Sequence, residues 1–249
     1  MRDMRCIYKD SNFQKIAKTF LEKVKKNQKC SWSDFKKVFL TLSNDSCPIC
    51  AKDLDDFDDT DHYRPKSLYK FLECCYENYM VMCSKCNRNL KNDYFPLDKN
   101  SIDNLKNENI DIKKFFDNEK YRDEINSRLE REKPLLVNPC KDNIFELFEI
   151  RFCFIKKYGG VTLIYPNSNL NKNSYEYRKA ICSIRTYKLN NLKISIRLKI
   201  MKRTSDKLKN FAIATKIYQQ NKNKENFSEL IRELSKLHRV DYLEEMDKV

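Results

Sequence analysis

Glycine is nearly missing from this chain: its 249 residues hold two, Gly159 and Gly160, side by side. Tryptophan occurs once, at Trp32, and histidine twice, at His62 and His238. With so little glycine and six prolines spread singly, no long flexible linker can be drawn, and no internal repeat is visible. No stretch approaches the roughly 20 consecutive apolar residues a membrane span needs. No short apolar segment with a cleavage site follows Met1. A soluble, cytoplasmic protein with no membrane partner is therefore expected. Lys, Asn, Ile and Tyr crowd the chain instead, a composition that an AT-rich genome favours.

The formal net charge is +14, from 50 Lys and Arg against 36 Asp and Glu. Part of that excess reflects codon usage, but a basic surface of this size attracts phosphate backbones, so a polyanionic partner is expected. The length suits two compact units, or one small domain set in a larger helical body. Eleven cysteines in a cytosolic chain are expected to stay reduced rather than to form a disulfide framework. Their spacing is informative: Cys47 and Cys50 form one Cys-x-x-Cys pair and Cys83 and Cys86 a second. Cys6, Cys30, Cys140, Cys153 and Cys182 are scattered, and Cys74 and Cys75 are adjacent.

Three segments follow from the patterning, 1–45, 46–98 and 99–249. In the first, Ser11 and Gln14 in capping-box spacing precede a helical stripe of Phe13, Ile16, Ala17, Phe20, Leu21 and Val24. A second helix follows Ser31 or Ser33, carries Phe35, Val38, Phe39 and Leu42, and ends before Asp45, with Trp32 at the junction. The middle segment holds the paired cysteines, an aspartate run (Asp53, Asp55, Asp56, Asp58, Asp59) read as a solvated loop, and the apolar stretch Tyr79 to Met82. The last segment reads as mostly helical: a stretch from Ile102 to Leu129, a hairpin near 145–165 turning at Gly159 and Gly160, a helix from Tyr175 to Tyr187, and further amphipathic helices from Leu192 through Leu237. His238 there reads as a solvated helical residue.

Two Cys-x-x-Cys pairs a few tens of residues apart put four thiolates on two turns, the arrangement that closes a tetrahedron around Zn²⁺. Four cysteines leave no open coordination position, so Zn²⁺ held by Cys47, Cys50, Cys83 and Cys86 would be structural. Between the pairs lie Asp61 and His62, and Asn87 directly follows the last cysteine.

On these residues the run from Cys47 to Leu97 resembles the HNH endonuclease family. The matching elements are the two cysteine pairs, Asp61 and His62, Pro65, Asn78 ahead of the strand-like Tyr79 to Met82, Asn87 and Lys91, with Asn92 where many relatives carry Gly. Asn tolerates the left-handed backbone such a position needs. The resemblance implies a mainly helical α+β chain in which a zinc-stabilised ββα-metal unit sits between an N-terminal helical segment and a C-terminal helical region containing the hairpin. It implies His62 as general base, Asn78 orienting the histidine loop, and a catalytic Mg²⁺ or Mn²⁺ on Asp61 and Asn87, a donor set that suits a hard cation. Arg64, Lys66, Arg88 and Lys91 are candidate phosphate contacts. Leu135 to Cys140, the hairpin and the segment from Ser183 to Arg197 are similar to the tails of HNH proteins of Septu and retron antiphage loci, which implies an ABC-type ATPase partner docked on the helical region. The expected substrate is nucleic acid, DNA ahead of RNA. Alternatives are an HNH nuclease that cuts RNA such as tRNA, and a zinc-knuckle binding module without catalysis.

Overall fold

Two short helices and a strand build the first part of the core. The structure, a computed structural model, describes residues 1–26, 30–54, 58–155, 159–191 and 240–242. Helix α1 (Ser11–Lys25) is capped by Asp10, whose carboxylate accepts from the Phe13 amide at 2.9 Å. The cap is thus one residue ahead of the expected Ser11: a carboxylate there satisfies the same orphan N–H and adds a favourable charge at the positive helix end. A 3₁₀ turn, Trp32–Phe35, leads into α2 (Lys36–Ser43), which stops at Asn44 with φ of +53°. Phe13, Phe20 and Phe35 pack together at ring separations of 5.2 Å, and Phe20 and Phe35 reach Tyr79 at 5.9 and 5.6 Å.

Tyr79 opens β2 (Tyr79–Met82), every residue of which is buried. It pairs antiparallel with β1 (Asp59–His62), in register from Asp59 opposite Met82 to His62 opposite Tyr79. Sequence alone gives β1 (Asp-Thr-Asp-His) no strand character, since aspartate is poor in strands; pairing with an apolar buried neighbour imposes it. A single wide helical segment, Lys85–Lys91, follows β2, with the π-type bond from Asn92 N–H to the Asn87 carbonyl at 2.6 Å. Asn92 leaves it at φ of +43°, so asparagine takes the positive-φ position.

Past Leu97 come α3 (Ile112–Asp117) and α4 (Glu119–Arg131), capped by Asp111 and Asn118, then the single turn α5 (Ile144–Leu147) and α6 (Tyr175–Thr186), capped by Ser174. The segment before Ile112 is not helical. The Leu135 to Val137 run, expected to be extended, bends at Leu135 and Leu136 and is held by side chains: the Ser183 hydroxyl accepts from Val137 N–H at 2.9 Å, and the Tyr63 hydroxyl donates to the Leu136 carbonyl at 2.5 Å. Met1–Leu147 and Leu170–Tyr187 form one compact unit, so α1, α2, the cysteine-rich segment and the helices up to α6 share it.

The second unit takes Phe148–Asn169 and the chain from Lys188. Its hairpin pairs β3 (Phe148–Ile155) with β4 (Gly159–Pro166), Ile155 opposite Gly159, and β5 (Val240–Tyr242) runs parallel to β3 on the other side. Asn190 seals β4 by exchanging side-chain hydrogen bonds with both backbone groups of Ile164, at 2.8 and 2.9 Å. The helices expected from Leu192 through Leu237, and His238, lie outside the described residues. Among the described residues no helix is long and apolar enough to cross a membrane.

One expectation about cysteine is corrected. Cys30 and Cys74 form a disulfide, their Cα atoms 5.6 Å apart across 44 residues of sequence. The Cα separation lies within the range a disulfide can span, and only folding brings the two together.

Candidate functional site

Four cysteine sulfurs meet where the loop before β1 comes against the turn after β2. Sγ of Cys47, Cys50, Cys83 and Cys86 all lie within 4.8 Å of one another and all four residues are buried. The first turn is shaped by bonds from Cys47 N–H to Lys52 and from Ala51 N–H to Cys47, at 2.7 and 2.8 Å, with Ala51 at φ of +59°. In the second, the Cys86 amide points at Cys83 Sγ, 3.5 Å away. A zinc tetrahedron with Zn–S of about 2.3 Å has edges of about 3.8 Å; the separation of Cys50 and Cys83 Sγ is 3.6 Å. This buried set can hold zinc. Its thiols perturb one another in opposite directions, Cys50 pulled down and Cys86 pushed up, each chiefly through its hydrogen bond with Cys47.

The metal-type cluster fixes what flanks it. Asp58, expected in a solvated loop, is 1% exposed and accepts from the Ser84 amide at 2.6 Å. It ties the start of β1 to the turn between Cys83 and Cys86. Asp53 is exposed, while Asp55 and Asp56 lie outside the described residues.

His62 closes β1 and is 4% exposed. Its Nε2 lies 2.9 Å from the Glu73 carbonyl oxygen. A carbonyl can only accept, so Nε2 carries the proton and the lone pair resides on Nδ1. The ring stands edge-to-face between Trp32 at 5.3 Å and Tyr79 at 5.1 Å. Burial lowers its pKa below 6.5, against the opposing pulls of the Glu73 carbonyl and the Asp61 charge, so the imidazole is neutral at neutral pH.

Asp61 precedes it and is gripped by Lys91, whose ammonium donates to Asp61 Oδ2 and to the His62 carbonyl, both at 2.8 Å. Lys91 is 1% exposed. Its charge is spent inside, and its expected contact with phosphate is corrected to this internal brace. Among the described residues neither Asp61 Oδ1 nor the Asn87 side chain makes a hydrogen bond, which leaves one carboxylate oxygen and one amide oxygen available to a hard cation.

The backbone beyond His62 is clamped by Asn78: its Oδ1 accepts from Arg64 N–H at 2.8 Å and its Nδ2 donates to the Arg64 carbonyl at 3.0 Å. Arg64 itself turns inward. Its guanidinium pairs with Glu132, donates to the Leu129 carbonyl at 2.7 Å, and stacks against Tyr69 and Phe95 at 5.2 and 5.3 Å. It too is corrected from a phosphate contact to a structural one. Of the four basic candidates, Lys66 and Arg88 are exposed.

Two residues at the site were missed from sequence. Glu132, completely buried, accepts from Arg64, from the Tyr69 hydroxyl at 3.1 Å and from the Leu105 amide at 2.5 Å. Trp32, at the start of the turn between α1 and α2, also faces His62. No local signal marks Glu132, whereas a single tryptophan in a chain of this length was a signal open to use.

No protein-family model matches the chain, and no solved structure matches it. The chain is 24% identical over 131 residues to the Septu protein PtuB of Bacillus mycoides (strain KBAB4), a match covering 47% of this chain and 38% of that protein. The chain thus spans well under half of that relative's length. This weak similarity supports a Septu-like relationship.

Proposed function

We propose that the chain is a metal-dependent HNH endonuclease that hydrolyses phosphodiester bonds of nucleic acid, with His62 as general base. The observation that carries this is the imidazole itself: buried, neutral, its Nε2–H held by the Glu73 carbonyl and its Nδ1 lone pair left to take a proton from water. Asp61 and Asn87 would hold Mg²⁺ or Mn²⁺, which supplies charge neutralisation at the phosphoryl and leaving oxygens. Lys91 fixes the Asp61 carboxylate and the His62 backbone as one piece. Asn78 fixes the next turn of chain, so the base cannot drift. The four cysteines would hold Zn²⁺, which would fix the loop before β1 against the helical segment that carries Asn87. Lys66 and Arg88 remain as phosphate contacts.

The similarity to a Septu protein supports a role in antiphage defence. In this reading the chain is the effector of a complex with an ABC-type ATPase, docked on the region 99–249. The test is direct: purified protein, with and without its genomic neighbour, is incubated with DNA and with total RNA in Mg²⁺. Cleavage of either supports the proposal and names the substrate. No cleavage of either, in the presence of the neighbour, contradicts it.

A further inference from the structure

The one tryptophan lies where a core argument would not put it. Phe35, three residues on, is fully buried and packs with Phe13, Phe20 and Tyr79. Trp32 is only half-buried, and among the described residues its ring neighbours are His62 at 5.3 Å and the Lys66 ammonium, 4.7 Å from the ring centroid. Lys66 has one long ion pair: its side chain is 51% exposed and its partner Glu73, itself half-buried, lies 3.5 Å away. The indole is nevertheless fixed in place relative to the imidazole. Cys30, two residues before Trp32, is joined to Cys74, the residue after the Glu73 whose carbonyl holds His62 Nε2. One covalent link therefore ties the indole segment to the segment that orients the base.

A half-open aromatic face with an exposed ammonium over it is a combination that suits a nucleotide: the ring stacks on a base and the cation pairs with the adjoining phosphate. We infer that Trp32 and Lys66 form a nucleobase subsite that seats a base of an unpaired strand beside the scissile phosphate. In a duplex both faces of each base are already covered, so stacking on an indole requires a single strand or an unpaired position. The inference rests on the hydrolytic reading of the site and adds to it the class of substrate, a strand that is unpaired where it is cut.

Because Trp32 is the only tryptophan, indole emission reports on this subsite alone. The full-length zinc-loaded protein, with no added Mg²⁺ so that strands stay intact, is titrated with fluorescein-labelled single-stranded DNA, single-stranded RNA, duplex DNA and an abasic strand of equal length. Anisotropy reports binding, and indole emission reports contact with Trp32. The expected result is saturable quenching by base-bearing single strands, none by the abasic strand, and weaker binding of the duplex. Trp32→Ala should weaken single-strand binding about tenfold, the usual scale of one base–aromatic stack, and Trp32→Phe should restore most of it at unchanged zinc content. If Trp32→Ala fails to fold, the comparison of base-bearing and abasic strands on the native protein decides alone. Binding by anisotropy with indole emission unmoved would overturn the subsite while leaving the hydrolytic reading intact. Tighter binding of the duplex would overturn the unpaired substrate. No binding of any strand would contradict both.

Discussion

At the scale of single residues, two histidine-linked facts set the chemistry: where the proton sits and how easily a second one is taken up. The Glu73 carbonyl assigns the first. Burial governs the second, holding the His62 pKa below 6.5. A histidine whose folded pKa is depressed resists protonation that the unfolded chain accepts, so its contribution to stability is complete above about pH 6.5 and is lost as pH falls through the folded value. The same shift keeps the base form available at mildly acidic pH. An NMR titration of the His62 ring should therefore give a midpoint below 6.5, and a cleavage profile should place its acid limb there too. A midpoint above 6.5 would mean that the Asp61 charge outweighs burial. Asp61 and His62 were legible as a pair because they are adjacent in a loop bounded by cysteine pairs. The fates of Arg64 and Lys91 were not: a basic residue looks the same in sequence whether it meets phosphate or, as here, a carboxylate contributed from 68 or 30 residues away.

At the scale of elements, the β1–β2 pair and the helical segment Lys85–Lys91 are short, and strands of four residues do not stand alone. The four cysteines join the loop before β1 to the turn after β2. If zinc fills that cluster, binding and local folding are one equilibrium. Metal analysis should find about one zinc per chain, and stripping it with a chelator should abolish the cooperative thermal transition of this unit. Retention of that transition in a zinc-free sample would show that the thiols suffice. Here the sequence was most readable, because a Cys-x-x-Cys turn is a local object. The apolar stretch of β2, the pairing of β3 with β4 and the helix α6 were readable for the same reason, although Gly159 and Gly160, expected at the turn, are paired residues of β4 opposite Ile155 and Phe154. Strand β1 was not legible from its own residues, and Asp58 was misread as solvated. Its burial depends on the Ser84 amide, 26 residues on.

At the scale of the whole molecule, the site is braced by contacts that cross long stretches of sequence within one unit. Glu132, at the end of α4, gathers Arg64, Tyr69 and the Leu105 amide around one buried carboxylate. Removing one member of a buried ion pair strands the other. Glu132→Ala should cost about 3–5 kcal/mol in urea unfolding, and pairing it with Arg64→Met should recover part of that loss. A cost below about 1 kcal/mol would show that Arg64 finds water instead. The basic composition favours a polyanionic partner, and in the proposed reading the arrangement around His62 would hydrolyse it. The most direct test compares phosphodiester cleavage by the native protein and by His62→Ala, on the strand that the native protein cuts, at matched zinc content and thermal stability. The account predicts that the substitution lowers the rate by at least about 100-fold, the usual contribution of a positioned base, while zinc and fold are kept; an unchanged rate would contradict it.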